Sequence, residues 1–328
     1  MVAATAIGSE TLVTFRRGSG EPSAGAGRPR RRRVRLTPYV MILPVFAAVG
    51  VALGYPLVQQ VIMSFKKFGL RQQFGQAPSW VGLKNYWAVV SDPRMLVVFA
   101  RSIAFCLVSA SLTMIVGVAL AMLMASISNW ARIVLQISLL LVWAMPVMVT
   151  MSVWQWLFDP RYGIVNWLLA HVGFPQLTGY AWTSTPLGLF AIAAAIVIWM
   201  SVPLVAFMSY AGFSQISEEV LEAAALDGAN GWRRFKDVML PLALPVIMIV
   251  GLLQIVWDLR VFTQIYVLQQ AGGSTDDTNL LGTYIYRLGI GQGNYGLASA
   301  LAMVVLIVAL LLTWKYISTL FKQQREAQ

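Results

Sequence analysis

The feature that most constrains this sequence is a series of long apolar stretches, each near the roughly 20 residues that an α-helix needs to cross a bilayer. Six can be drawn, at residues 39–63, 97–124, 133–157, 187–208, 242–268 and 295–316. They are continuous and do not alternate with a period of two, which argues against a transmembrane β-barrel. Only 11% of the residues are charged and 58% are hydrophobic, unlike a soluble domain. The sequence therefore predicts an all-α protein with six membrane-spanning helices.

Basic residues are unevenly distributed and predict the orientation of the chain. Eight of the 24 lie between Arg16 and Arg35, in a stretch with too few large apolar residues to fold alone. With the amino terminus inside, the inner segments carry fifteen Lys and Arg residues and the outer loops seven, as the positive-inside rule predicts. We expect a disordered cytoplasmic arm (1–36), a transmembrane domain (37–322) and a cytoplasmic tail (323–328). Because topology explains the net charge of +11, this charge does not indicate nucleic-acid binding.

Few residues in this chain suit catalysis or metal binding. The sequence has one cysteine, Cys106, and one histidine, His171, so we predict no metal site. No set of residues suggests a hydrolase, and we predict no catalytic residue. The stretch GQGNYG at 291–296 fits a dinucleotide-binding pattern but precedes an apolar span, and no phosphate-binding G-x-x-x-x-G-K-[ST] motif occurs. The chain is therefore predicted to be neither an enzyme nor an ATP-binding protein.

The segment between the fourth and fifth spans, residues 214–245, is the most informative part of the sequence. Ser217 is placed to cap a helix whose first turn holds Glu218 and Glu219, which suit the positive end of the helix dipole. Gly228, within a run of turn-forming residues, permits a sharp turn before a second short helix at 232–238. The pattern predicts a helix-turn-helix outside the membrane. An interfacial connector between spans would give the same pattern.

The same segment closely resembles the EAA loop of binding-protein-dependent ABC importer permeases, with every spacing kept. The matching residues are Glu222-Ala223-Ala224, Asp227-Gly228-Ala229, Phe235, Val238, Leu240-Pro241 and Pro245. The resemblance implies a six-helix type I importer permease with a cytoplasmic coupling helix between spans 4 and 5. It also implies that this helix docks on the ATPase through Glu222, Ala223, Ala224, Asp227 and Gly228.

The family resemblance implies a set of partners. They are a second homologous permease, two ATPase subunits or domains, an extracytoplasmic solute-binding protein and membrane lipid, all at a bacterial cytoplasmic membrane. ATP and magnesium would be bound by the ATPase, and this chain would hold no cofactor. The expected mechanism is alternating access, with both termini of the permease in the cytoplasm.

Four further stretches narrow the branch of the family. The residues at 55–65, 80–93, 158–169 and 260–278 resemble sugar-type permeases related to the larger permease of the maltose importer. The predicted cargo is therefore a sugar, a di- or oligosaccharide. The alternatives are glycerol phosphate or another small polar solute in the same machine, or an ion-coupled secondary transporter, which would show inverted repeats.

The fifth span carries an unusual density of polar side chains, which are costly in a bilayer unless they are paired or hydrated. The candidates for the cargo pathway are Gln254, Trp257, Asp258, Arg260 and Gln264. Helical spacing places Gln254 beside Asp258 and Arg260 beside Gln264, while Asp258 and Arg260 point apart. A structural polar network between helices would explain any one of them equally well. Weaker candidates are Trp154, Gln155, Tyr284 and Tyr286.

Overall fold

The computed structural model describes the backbone of residues 37–326 and the side chains of residues 41–319. The predicted basic arm, residues 1–36, lies outside this part of the chain. Two compact units are distinguished, and the boundary lies between Leu53 and Gly54. The described part of the first unit is formed mainly by helix α1, Thr37–Val49.

The second unit is built almost entirely of helices. They are α2 Tyr55–Ser64, α3 Leu70–Gln73, α4 Lys84–Ser91, α5 Pro93–Ser126, α6 Asn129–Ala144, α7 Val147–Leu157, α8 Ile164–His171, α9 Pro186–Phe213, α10 Glu218–Leu226, α11 Gly231–Arg233, α12 Leu240–Leu259, α13 Thr263–Gln270, α14 Thr275–Thr278, α15 Leu281–Tyr286 and α16 Tyr295–Glu326. Wider, π-helical turns occur at Arg234–Met239 and Arg287–Gly291, and 3₁₀ turns at Pro175–Leu177 and Trp182–Ser184; a further π-helical turn, Gly50–Gly54, lies at the end of the first unit. Strands β1 Lys66–Lys67 and β2 Ser79–Trp80 form a short antiparallel ribbon.

Five stretches are long and apolar enough to cross a membrane, and a bent pair brings the number to six. The five are Met41–Ser64, Pro93–Ser126, Pro186–Phe213, Gly231–Gln270 and Tyr295–Thr319, and the bent pair is α6 with α7. These agree with the six predicted spans in order and position. The last helix continues to Glu326 and so includes the first four residues of the predicted tail.

The third predicted span, residues 133–157, is not one straight helix. Its two halves, α6 and α7, meet at an angle of 101°. Met145 is extended, with φ −70° and ψ 129°, and Pro146 follows it. A proline disfavours helical geometry in the residue before it, because its ring collides with that residue's backbone. The proline therefore ends α6 and redirects the chain into α7.

Helices α5 and α9 pack together at the centre of the second unit. A Cβ atom at Gly117 of α5 would lie 2.5 Å from Cγ1 of Val205 in α9, so glycine permits this close approach. Small residues allow helices in a membrane to approach closely, and dispersion then stabilises the pair. The turn after α5 is fixed by Arg132, which donates from Nε to the carbonyl of Met124 at 2.8 Å and lies over the ring of Tyr210. These contacts position α9, whose last residue, Phe213, leads into the segment that follows.

Candidate coupling loop and cargo pathway

The segment after α9 forms the predicted helix-turn-helix. Helix α10 runs over Glu218–Leu226, and a second helix begins at Gly231. The second helix does not end near residue 238 as predicted, because a π-helical turn over Arg234–Met239 continues it directly into α12. The second arm is thus the first part of the fifth span, and movement of the turn can pass along one continuous helix.

The turn between the arms is a Schellman motif, in which two amides satisfy carbonyls at the end of a helix. The amide of Ala229 donates to the carbonyl of Ala224 at 3.0 Å, and the amide of Gly228 donates to that of Ala225 at 3.1 Å. Gly228 has φ +81°, in the left-handed region that glycine adopts without steric cost. A Cβ atom there would meet no other atom within 4 Å. The prediction that Gly228 permits a sharp turn is confirmed.

The two arms begin with different caps. The side chain of Asn230 accepts a hydrogen bond from the amide of Arg233 at 2.9 Å, as an N-cap residue does. Ser217 occupies the N-cap position of α10, but its side chain makes no capping hydrogen bond, contrary to expectation. Glu218 and Glu219 lie in the first turn of α10, as predicted. The start of α10 therefore depends on charge and not on a side-chain cap.

Helix α10 has no buried residue. Among the predicted coupling residues, Glu222, Ala223, Asp227 and Gly228 are exposed and Ala224 is half-buried. The neighbouring Leu226 is 89% exposed. The second arm is anchored instead, because Phe235 is buried against Phe213 at a ring distance of 6.2 Å. The second arm is thus anchored to the protein, while α10 remains exposed and available to contact a partner.

In the fifth span, the predicted contact between Gln254 and Asp258 is confirmed. The Gln254 amide donates from Nε2 to Oδ1 of Asp258 at 2.8 Å, and both residues are almost fully buried. Within the described residues, Oε1 of Gln254 and Oδ2 of Asp258 have no hydrogen-bond partner. We expected these groups to face a cavity or a protein neighbour, and the structure places them against neighbouring helices.

The other predicted pair, Arg260 and Gln264, does not lie on one helix. Helix α12 ends at Leu259, Arg260 is its C-cap with φ −102° and ψ 11°, and α13 begins at Thr263. The i, i+4 spacing assumed for this pair is therefore wrong. Arg260 is exposed, Gln264 is half-buried and Trp257 is 45% exposed. Asp258 is buried whereas Arg260 is exposed, and no ion pair joins them within the described residues.

The four weaker candidates lie in three other places. Trp154 and Gln155 line a cavity of about 390 Å³ at the end of α7. Tyr284 lines a cavity of about 430 Å³ that also contains Arg101 and Arg287. Burial raises the pKa of the Tyr284 phenol above its ordinary value, so this group stays neutral. Tyr286 packs in a three-ring group with Phe262 and Tyr266.

One polar residue of interest, Asp159, was not predicted. Its Oδ1 accepts hydrogen bonds from the amides of Arg161 at 2.8 Å and Tyr162 at 3.2 Å. The hydrogen bond from the amide of Arg161 is the main reason why the pKa of this carboxyl is below its ordinary value. Asp followed by Pro, with Gly four positions on, is a turn signal that could have identified this fixed carboxylate.

Comparison with known proteins places the chain among transporters. Residues 117–323 match the family described as "Binding-protein-dependent transport system inner membrane component". The chain is 36% identical over 312 residues to the diacetylchitobiose uptake system permease protein DasB of Streptomyces coelicolor, covering 95% of each. It is 31% identical to the trehalose/maltose transport system permease protein MalF of Thermococcus litoralis, covering 85% of this chain and 92% of that protein.

A solved structure has the same fold. It is a bacterial ABC transporter involved in the import of the acidic polysaccharide alginate, whose chain superposes with a TM-score of 0.75 at 21% identity. The match covers 87% of this chain and 95% of that one. The predicted type I importer permease fold is confirmed. The fold, the matched family and the relatives show that the chain belongs to the binding-protein-dependent inner membrane components, the permeases of ABC importers.

Proposed function

We propose that this permease imports a di- or oligosaccharide across a bacterial cytoplasmic membrane, with both termini in the cytoplasm. Two relatives that are 36% and 31% identical over most of the chain carry names of disaccharide uptake systems, which supports a sugar cargo. The excess of Lys and Arg residues in the inner segments supports the orientation. The basic arm (1–36) and the tail (323–328) belong to the cytoplasmic side in this proposal, and the transmembrane domain is 37–322.

The coupling loop carries the proposal. Its predicted docking residues are Glu222, Ala223, Ala224, Asp227 and Gly228. All of them are exposed except the half-buried Ala224, and α10 has no buried residue. Most of the stability of a helix in a protein comes from tertiary packing, so a helix without buried residues is only weakly stabilised by the rest of the chain. Docking of a separate ATPase subunit on these residues supplies the missing contacts. ATP and magnesium are bound by that subunit, and this chain contributes no catalytic residue.

The continuous helix links the loop to the proposed cargo pathway. The arm that follows Gly228 continues through the π-helical turn into α12, which carries Gln254, Trp257 and Asp258. Closure of two ATPases moves the loop, and α12 transmits the movement to the pathway, which includes Arg260 and Gln264 beyond the helix break. A second homologous permease completes the pathway, and a solute-binding protein delivers the sugar from outside.

The test is purification of the tagged chain from its native membrane in mild detergent. We expect an ATPase and a second permease to purify with it. We also expect ATP hydrolysis by the complex, with its binding protein, to rise with one member of a panel of diacetylchitobiose, trehalose, maltose and glycerol phosphate. If glycerol phosphate alone stimulates ATP hydrolysis, the cargo is glycerol phosphate and not a sugar. A chain that repeatedly purifies without an ATPase would contradict the proposal and favour a secondary transporter.

A further inference from the structure

The cavity at the end of α7 combines aromatic and polar side chains on one wall. It has a volume of about 390 Å³, within the range of ligand pockets. Trp156 and Tyr162 contribute rings, and Ser152, Gln155 and Thr183 contribute hydroxyl and amide groups. Such a lining is neither the uniform apolar surface that lipid favours nor a cluster of like charges.

The aromatic residues at this cavity divide into two groups. Trp154 and Phe158 are stacked at 5.8 Å, and Trp182 meets Phe158 edge-on at 5.7 Å, so these rings form a packed support. Within the described side chains, Trp156 and Tyr162 take no part in that stack and are 58% and 66% exposed. Two rings on a rigid support therefore keep their faces free for a ligand.

The polar groups at the cavity keep acceptor capacity, and Asp159 is held in place by its own turn. Asp159 accepts hydrogen bonds from two amides of its own turn with Oδ1, and the Tyr162 hydroxyl lies beside the carboxylate, whose Oδ2 keeps acceptor capacity. Gln155 donates from Nε2 to the carbonyl of Val267 at 3.4 Å, which leaves its Oε1. Thr183 donates from its hydroxyl to the carbonyl of Ala271, also at 3.4 Å. Acceptors beside exposed aromatic rings match the hydroxyls and the apolar C–H faces of a sugar ring.

The position of the cavity along α9 indicates on which side of the membrane it lies. Its lining includes Thr183, just before α9, and Ile192 in the second turn of α9, and the coupling loop follows the other end of that helix. With 28 residues, α9 is about 42 Å long at 1.5 Å per residue, enough to cross the membrane. The cavity therefore lies on the side opposite the ATPase, where cargo arrives. Its contacts to Val267 and Ala271 connect it to α13, beyond the helix break that follows Asp258.

We propose that this cavity is an outer carbohydrate subsite, in which a sugar ring rests on Trp156 and Tyr162 while its hydroxyls donate to Asp159 and Gln155. The inference rests on the proposed function. The carboxylate of Asp159 disfavours an anionic ligand. A neighbouring cavity of about 700 Å³ shares Trp156 and Tyr162. The site can therefore hold more than one ring, as a di- or oligosaccharide requires.

A cysteine placed in the cavity reports its occupancy. Cys106 is the one cysteine of the sequence and is only 2% exposed, so an introduced thiol is the reactive one in this chain. Ser152→Cys places a thiol in the exposed lining of the cavity. Ser184→Cys is the matched control, because Ser184 is also exposed and bonded to a local carbonyl but lies outside the lining. The readout is the labelling rate of this chain in the purified complex with a water-soluble maleimide.

The sugar probes are diacetylchitobiose, trehalose and maltose, each also tested for uptake by the same complex. At about four times its Kd, the transported sugar should slow labelling of Ser152→Cys about fivefold and leave Ser184→Cys unchanged. If a sugar at about 10 mM is taken up but does not slow labelling of Ser152→Cys, the subsite is wrong while the proposed function stands. Uptake of none of the three contradicts the proposed sugar cargo itself.

Substitutions of Trp156 test whether its ring stacks on the sugar or only supports the fold. Trp156→Ala should raise the sugar concentration for half-protection of Ser152→Cys about tenfold, and Trp156→Phe should restore it. Trp130→Ala is the control, because Trp130 is 77% exposed and belongs to α6. If the sugar concentration that half-protects Ser152→Cys is the same with and without Trp156→Ala, the Trp156 ring does not contact the sugar.

Discussion

The coupling loop and the C-terminal end of α12 both carry polar side chains, but these side chains lie in opposite environments. In the loop, Glu222 and Asp227 are exposed, and no residue of α10 is buried. In α12, Gln254 and Asp258 bond to each other in the interior. The first arrangement leaves a surface for a partner, and the second keeps a polar pair away from lipid. Changes on the loop should therefore have little effect on stability, whereas loss of one member of the pair should destabilise the fold because its partner stays buried without a hydrogen bond.

The largest effect is expected from Gly228→Asp. Asp is one of the few residues that tolerate positive φ, and a Cβ at this position meets no atom within 4 Å, so the chain should insert and accumulate normally. A new charge on the docking face should cost several kcal/mol in the contact with the ATPase. We expect sugar uptake to fall about 100-fold, which corresponds to about 3 kcal/mol. Uptake of labelled sugar, normalised to the amount of chain in the membrane, measures this.

Gly173→Asp is the matched control for Gly228→Asp. Gly173 also has positive φ, at +118°, and a Cβ there likewise meets no atom within 4 Å. It follows α8, far from the coupling loop in the sequence. If Gly228→Asp takes up sugar normally, or if both variants lose the same amount of uptake, Gly228 does not belong to a docking surface.

The second prediction concerns the buried pair. Asp258→Ala should lower the free energy of unfolding by about 1–3 kcal/mol, because it leaves the Gln254 amide buried without its partner. Replacing both residues by apolar ones, Gln254→Met with Asp258→Leu, should recover most of this loss. Thermal unfolding of the purified complex in detergent micelles measures both.

Uptake by the double variant decides what the pair is for. If the pair belongs to the cargo pathway, uptake should fall about tenfold although stability is recovered, since about 1.4 kcal/mol of sugar binding is lost. A double variant that is stable and fully active would show that Gln254 and Asp258 are a structural network and would leave Trp257, Arg260 and Gln264 as the candidates in this span.

The contrast between the two regions also explains what the sequence could predict. The coupling loop is a local structure, so its helix start, its glycine turn and its acidic first turn were all visible in consecutive residues. The pairing of Gln254 with Asp258 followed from helical spacing, another local rule. The type I fold followed from the apolar spans and the resemblance of the loop.

The break after Leu259 could not be predicted in this way. No proline or glycine marks it, and the spacing of Arg260 and Gln264 suits a continuous helix. A Cβ atom at Gly282 would lie 3.0 Å from the carbonyl of Val261, so α15 packs directly on the break. The two segments are about twenty residues apart, and such tertiary contacts override local propensity. By contrast, Pro146 is a local signal for the bend between α6 and α7, and the sequence alone indicates an interruption of the third span there.

The smallest effect is expected from removing the N-cap side chains of the two arms of the coupling loop. Asn230→Ala removes a side-chain acceptor from the amide of Arg233 and should cost about 1 kcal/mol. Ser217→Ala removes a hydroxyl that bonds to no amide of α10, so it should cost close to nothing. Amide hydrogen exchange at residues 231–234 should accelerate about fivefold in the first variant, and exchange in α10 should not change in the second. Equal acceleration in both arms would mean that Ser217 does cap α10. Unequal acceleration would show that the arm leading into α12 is fixed by its own cap while α10 is left free, as transmission of movement from a docked partner requires.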